Sequence, residues 1–271
     1  MEYKISEIAK MFGTSSEGIR FFEKKGLLKG QRTENEYRIY EDRDIFSLIQ
    51  CLSYSKLGFT LNEAKAIFFE DQIAAVQKRF ETKIQETQKN MSHELAILNC
   101  LQGRQRAIEQ AILNQDRVII EHLPTRYFID IEPSYPGANM STSKRKDHNN
   151  KRKIAFDLLP AGEQALRFAY DSKAGTYDAR ERGFSIYEQH VQSFHITIPP
   201  DAICYPEGIY ATCSVNVGIN AMEYDFLEFI LKKLSSEHLT PIGDLIVIYT
   251  CFSFCENEHQ RYCTLMVPIE K

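Results

Sequence analysis

The chain has 271 residues, 43% of them apolar, and a net charge of −4. That composition supports real cores in one or two domains, and no apolar run approaches the length of a membrane span. The mild negative charge argues against a uniformly basic nucleic-acid binder, so any such role rests on local placement of charge. The start, Met1-Glu2-Tyr3-Lys4, lacks the apolar core of a signal peptide. A cytoplasmic protein is expected. Its 7 cysteines, odd in number and irregular in spacing, then read as reduced thiols.

In chain order, a first helix is expected from about Ser6 to Phe12, stopped by Gly13. Thr14-Ser15-Ser16-Glu17 has the form of a capping box, so a second helix follows at once and ends at Gly26. Two short helices joined by a tight glycine turn form a helix-turn-helix pattern, whose second helix enters the major groove with its early residues toward the bases. Ser15, Ser16 and Arg20 occupy those positions. Tyr37-Arg38-Ile39-Tyr40 reads as the second strand of a wing. Between Arg20 and Arg38 stand Arg20, Lys24, Lys25, Lys29, Arg32 and Arg38 against Glu23, Glu34 and Glu36. Such a cluster engages phosphates or forms an ordinary solvated face. Asp42 is expected to cap a third helix, and Thr60-Leu61-Asn62-Glu63 is a capping box for a fourth.

Ile73 to Leu113 has no proline and no glycine before Gly103. Ile73, Val76, Phe80, Ile84, Met91, Leu95, Leu98, Leu101, Ile108 and Ile112 recur at three- and four-residue steps. This narrow seam predicts one helix of roughly 60 Å that pairs with a second copy of itself. Packing within its own domain is the alternative.

From Arg117 the pattern turns to strands: Arg117 to Pro124, Tyr127 to Ile131, Gln164 to Asp171, Gly183 to Ile198 and a stretch within Asp201 to Val217. Leu227, Ile230, Leu231 and Leu234 then mark an amphipathic helix, and Leu245 to Phe254 and Tyr262 to Ile269 close the chain as strands. Lys144 to Lys153 holds six basic residues and one acid, a solvated segment or a second DNA contact. Cys251, Cys255, His259 and Cys263 stand at intervals of four. They offer soft-metal ligands or belong to a sheet core flanked by Phe252 and Phe254. The sequence holds no nucleophile elbow, phosphate-cradling glycine loop or His-Glu-x-x-His.

The strings Tyr3 to Ala9, Ile19 to Leu28, Tyr37 to Tyr40 and Leu57 to Ala64 together resemble the MerR family of transcription regulators over about residues 3–70. The resemblance implies a homodimer on double-stranded promoter DNA, engaging RNA polymerase when a ligand lets it distort the promoter. It assigns DNA contact to Arg20 on the recognition helix, to Arg38 and Tyr40 in the wing, and to Lys56 before the fourth helix, with Ser15, Ser16 and Lys24 beside them. Phe22 stands where many members carry a tyrosine that bonds a phosphate, so that bond is lost. Glu36 replaces the usual wing glycine.

The second half resembles the GyrI-like ligand-binding domain of multidrug regulators. The matching pieces are His122-Leu123-Pro124, Gly208-Ile209-Tyr210-Ala211, Ile248-Tyr249 and Met266-Val267-Pro268-Ile269. That implies two repeated sheet-and-helix halves around a cleft with aromatic walls and a buried acid for lipophilic cations. Phe168, Tyr170, Tyr187, Tyr205, Tyr210 and Tyr249 are wall candidates or ordinary core. The family's glutamate, two residues before the tyrosine of the Ile248-Tyr249 strand, is Val247 here. Glu207, Glu223 or Asp225 would have to supply the charge, or they are surface acids.

The expected architecture is an α+β multidomain chain. It comprises a winged helix-turn-helix (1–71), a long dimerisation coiled-coil helix (72–114) and an antiparallel α/β GyrI-like effector domain (117–271). No resident cofactor is expected. A metal- or thiol-responsive regulator using the cysteine cluster, a GyrI-like hydrolase using Glu223 or Tyr249, and a DNA-bending architectural protein are the other readings.

Overall fold

The computed structural model describes residues 1–32, 38–132, 153–218, 226–255 and 258–270. It is an α+β chain of two compact units, Met1–Met91 and Ser92–Lys271.

The first unit begins with strand β1 (Glu2–Lys4) and helices α1 (Ile5–Met11) and α2 (Ser16–Lys24). Helix α1 starts at Ile5 rather than Ser6, because the Lys4 backbone N–H donates to Glu7 Oε2 at 2.7 Å and Lys4 takes the cap. Gly13 turns the chain at φ 61°, a conformation that favours glycine. The cap of α2 is Ser15, whose Oγ accepts from Gly18 N at 3.1 Å; the box expected from Thr14 to Glu17 does not form. Thr14 Oγ1 instead occupies the space a side chain at Gly18 would need.

Strands β2 (Gln31–Arg32) and β3 (Arg38–Glu41) complete a small antiparallel sheet in the order β1-β3-β2. Helix α3 (Asp42–Lys56) is capped one residue earlier than expected, by Glu41 reciprocally with Asp44. Thr60 and Glu63 form the capping box of α4 (Leu61–Phe69) as expected. Ile8, Ile19, Leu27, Tyr40, Leu48 and Ala64 close the core of this unit. Full burial of each large aliphatic member stabilises by about 1.5–3 kcal/mol. Helix α5 runs unbroken from Ile73 to Leu113.

The second unit is organised on one sheet of eight strands: β4 (Val118–Leu123), β5 (Arg126–Glu132), β6 (Glu163–Asp171), β7 (Thr176–Tyr187), β8 (Ile203–Tyr205), β9 (Gly208–Gly218), β10 (Leu245–Cys255) and β11 (Glu258–Pro268). Their order is β4-β9-β11-β10-β6-β7-β5-β8, with every neighbouring pair antiparallel.

The order is a repeat. One half places β5, β6 and β7 as β6-β7-β5, and the other places β9, β10 and β11 as β10-β11-β9. The halves join where Leu166 faces Val247 across β6 and β10. Each half is led by a strand that pairs with the other half: β4 with β9, and β8 with β5. Both leaders reach their own half through a two-residue turn that starts with proline, Pro124-Thr125 and Pro206-Glu207. The Glu207 N–H donates to Thr125 Oγ1 at 3.1 Å and ties the two turns together.

Alternate residues face opposite sides of the sheet. Leu166, Cys213, Leu245, Val247, Cys263 and Leu265 meet Phe226, Ile230 and Leu234 of helix α7 (Phe226–Ser236). Phe128, Ala165, Tyr205, Tyr210, Ile246, Ile248 and Met266 gather in a second cluster. The strand expected from Gly183 to Ile198 ends at Tyr187, and Glu188–Ser193 is a helix, α6. Val191 and Phe194, three apart, thereby reach one cluster with Cys100, Ile129, Leu158 and Ile186.

Candidate nucleic-acid interface and ligand cavity

Helix α2 is two-faced. Ile19 is fully buried in the core of the first unit, while Arg20 and Lys24 are exposed. Ser16 is half-buried, and the exposed Ser15 spends its hydroxyl on the helix cap. Phe22 is half-buried against the core and sits edge-on to Phe21 at 5.8 Å. Lys56 is exposed as the last residue of α3. Arg38 is held in place by Glu23 of α2, Nε to Oε1 3.1 Å. This ion pair ties the wing strand to the helix and takes one nitrogen of Arg38.

Tyr40 is a correction. Its side chain is fully buried, under Gly30, where a Cβ would lie 2.7 Å from the Tyr40 ring. It is a core residue rather than a surface contact. Glu36 and Tyr37 lie outside the described residues.

The seam of α5 divides. Ile84, Met91, Leu95, Leu101 and Ile112 are 54–68% exposed. Phe80 instead packs on Phe59 at 5.0 Å and Tyr54 at 6.1 Å within the first unit. Ile108 lines a cavity of the second unit. Neither belongs to a free seam.

That cavity has a volume of about 670 Å³. Its walls come from four places in the chain: Arg104 and Ile108 of α5, Ala155, Phe156, Leu159 and Gly162 before β6, Glu163, Gln164 and Phe184 of β6 and β7, and Tyr249 to Phe252 of β10. Of the aromatic residues expected on a cleft wall, Tyr249 is there. Phe168 packs beside the cluster under α7. Tyr170 packs at a tilt on Tyr177, centroids 5.0 Å apart, and its N–H donates to Asp244 at 2.8 Å. Tyr187 carries the Arg126 guanidinium 4.2 Å above its ring. Tyr205 is buried and donates to Asp244 at 2.6 Å; burial and that bond push its ionisation up. Tyr210 is buried and donates to the Pro206 carbonyl at 2.8 Å.

The acids also fall elsewhere. Glu207 is exposed in its turn, and Glu223 and Asp225 lie outside the described residues. Val247 is fully buried beneath α7. Among the described residues the carboxylate lining the cavity is Glu163. Its Oε2 accepts from Arg126 Nη2 at 2.9 Å, and Arg126 is 3% exposed. Sequence reasoning missed Glu163, Arg104, Gln164, Phe184 and Phe156. Nothing local marks them, because only the strand pairing and the return of α5 bring them together.

The cysteine reading changes with the register. A bulge at Thr250 places Tyr249 opposite Cys263 and Cys251 opposite Tyr262. Cys251 and Cys263 therefore point to opposite faces of the hairpin. Cys263 is a core thiol that burial pushes up to about 12. His259 packs edge-on to Phe254 at 4.9 Å. Among the described residues no group of three or more His, Cys, Asp or Glu is placed to hold a metal ion. The side chain of Cys255 and the basic stretch up to Arg152 lie outside the described residues. No described helix is long and apolar enough to cross a membrane.

The family model for MerR HTH regulatory proteins matches residues 3–70. The mercuric resistance operon regulatory protein of Bacillus cereus is 34% identical over 87 residues, which are 32% of this chain and 61% of the relative. The chain thus spans about three fifths of that relative's length. The HTH-type transcriptional regulator CueR of Escherichia coli O6:H1 is 33% identical over 112 residues, covering 36% of this chain and 83% of the relative. Among solved structures, EcmrR in its complex with DNA covers 99% of this chain and 100% of its own, at 14% identity and a TM-score of 0.34.

Proposed function

This chain belongs to the MerR family of helix-turn-helix regulatory proteins, and from that premise we propose that it is a homodimeric, ligand-responsive transcription regulator. Its dimer reads a pseudo-palindromic promoter site through α2, because a two-fold protein reads two half-sites. The observation that carries the reading is the division of α2: Ile19 anchors it in the core, and Arg20 and Lys24 face solvent. Arg20 reads base edges, while Lys24, Arg38 and Lys56 neutralise phosphates. The exposed apolar residues of α5, Ile84 through Ile112, supply the dimer contact.

The sheet unit is the sensor, a GyrI-like effector domain by the sequence resemblance, and the 670 Å³ cavity receives a small lipophilic effector. The opposed placement of Cys251 and Cys263 speaks against a metal centre on that hairpin. No catalytic step is assigned to the chain. It works in the cytoplasm, where promoter DNA and RNA polymerase are its partners, and no membrane is involved. Effector binding tips the dimer toward a state that bends and untwists the promoter. That deformation costs roughly 1–6 kcal/mol, and only differential affinity of the effector for the two states supplies it.

The test joins two measurements. Sedimentation at micromolar concentration should give a dimer for the wild type and a monomer when Met91 and Leu95 are both changed to Asp. Selection from a random DNA pool should enrich a two-fold symmetric site that this monomer no longer binds. A monomeric wild type, or a pool with no symmetric enrichment, would overturn the proposal.

A further inference from the structure

Among the described residues, the charges on and just behind the wall of the 670 Å³ cavity leave a positive excess: Arg104 and Arg126 against Glu163. Arg104 lines the cavity, and its Nη2 donates to the Pro160 carbonyl at 2.8 Å and the Gly162 carbonyl at 3.3 Å. Its other two guanidinium nitrogens make no hydrogen bond among the described residues. Glu163 is the acid on the wall, but the buried Arg126 already bonds to it at 2.9 Å. An entering cation would meet that guanidinium directly behind the carboxylate. It would also find a ring in use: Arg261 lies 5.4 Å from the Tyr249 centroid, so one face of this wall ring already holds a cation. The remaining lining is apolar or neutral: Ile108, Phe156, Leu159, Gln164, Phe184 and Phe252.

We infer that this cavity selects a lipophilic organic anion, such as an aromatic carboxylate or phenolate. Its rings pack on Phe156, Phe184 and Tyr249, and its charge sits against the open edge of Arg104. The inference rests on the proposal that the cavity is the effector site, and it names the class of effector. Charge pairing decides the sign. A lipophilic cation meets a carboxylate that is already compensated, whereas an anion gains a planar donor array with two nitrogens unused.

Tetraphenylborate and tetraphenylphosphonium have the same shape and opposite charge. Titrating each into the full chain by calorimetry at fixed salt tests the selection. N-phenyl-1-naphthylamine, neutral and fluorescent, reports whether the cavity is intact. The borate should bind at least about ten-fold tighter than the phosphonium. Arg104→Gln should cut borate affinity about ten-fold while leaving the neutral probe within about two-fold. Glu163→Gln, which removes the compensated acid, should leave borate binding as tight or tighter. Equal or tighter phosphonium binding overturns the anion assignment while leaving the cavity as effector site. A borate preference that survives Arg104→Gln unchanged overturns the role of Arg104. Failure of all three probes to bind overturns the effector reading of the cavity itself.

Discussion

The two units handle charge in opposite ways. In the first, the core around Ile8, Ile19, Leu27 and Leu48 holds no buried charged side chain among the described residues, and Arg20, Lys24 and Lys56, the cations proposed to meet DNA, lie outside it in solvent. In the second, charge is built into the sheet. Arg126 is buried between Glu163, Met266 and Tyr187, and Arg167 bonds at 2.6 Å to both Glu181 and Asp244. A solvated cation costs the fold almost nothing and is free to meet a phosphate. A buried one must be compensated inside, so it shapes the cavity next to it. The first unit presents chemistry, and the second encloses it.

Arg126→Leu breaks this contrast most strongly. It leaves Glu163 without its partner at the cavity wall and should cost about 3–5 kcal/mol in denaturant unfolding. Lys24→Ala in the first unit should stay within about 0.5 kcal/mol. The double variant with Glu163→Leu should recover much of the loss. An Arg126→Leu protein as stable as the Lys24→Ala protein would sink the distinction.

Core truncation comes next and tests whether the units are separate. Leu48→Ala and Ile230→Ala each remove a fully buried side chain, at about 2–5 kcal/mol. Amide hydrogen exchange should show Leu48→Ala loosening α1 to α4 and Ile230→Ala loosening β9 to β11. Equal loosening of both sets by either change would mean that the chain opens as one body.

Arg20→Ala sharpens the first half of the comparison. Its stability should match the wild type, while affinity for the selected DNA site falls by about 1–3 kcal/mol at fixed salt and nonspecific affinity falls less. Unchanged specific affinity would remove α2 from the reading role.

The smallest effect is a slope against pH. Burial holds the His190 pKa below its usual value, opposed by Glu163 and assisted by Arg104 and Arg126. The folded state therefore binds fewer protons than the unfolded chain as pH falls through the ordinary histidine range. His190's contribution is intact above the unfolded pKa, about 6.5, and lost as pH falls toward the folded pKa. Unfolding free energies measured from pH 7.5 to 5 should decline less in His190→Gln than in the wild type. Parallel profiles would mean that another group carries the slope.

Local rules read the first unit well where the partners are neighbours in sequence. The Thr60–Glu63 box closes over three residues, and α5 runs from Ile73 to Leu113 because nothing in between breaks a helix. They erred where a competing contact, just as local, took the cap. Glu7 reaches back to Lys4 and starts α1 early, and Thr14 fills the space above Gly18 so that Ser15 caps α2 alone. The family resemblance assigns Tyr40 to the wing contact, but its ring is buried where Gly30 leaves room for it.

By itself, the sequence determined what short-range chemistry can specify: caps, the exposed basic set on α2, the unbroken α5 and the strand-rich character after Arg117. Only the tertiary structure decided the rest. The exchange of β4 and β8 between halves, the bulge that separates Cys251 from Cys263, and the meeting of Arg104, Glu163, Phe184 and Tyr249 around one cavity all depend on pairings between distant segments. A side chain's neighbours across a sheet are set by register, and register is a property of two strands that neither sequence carries alone.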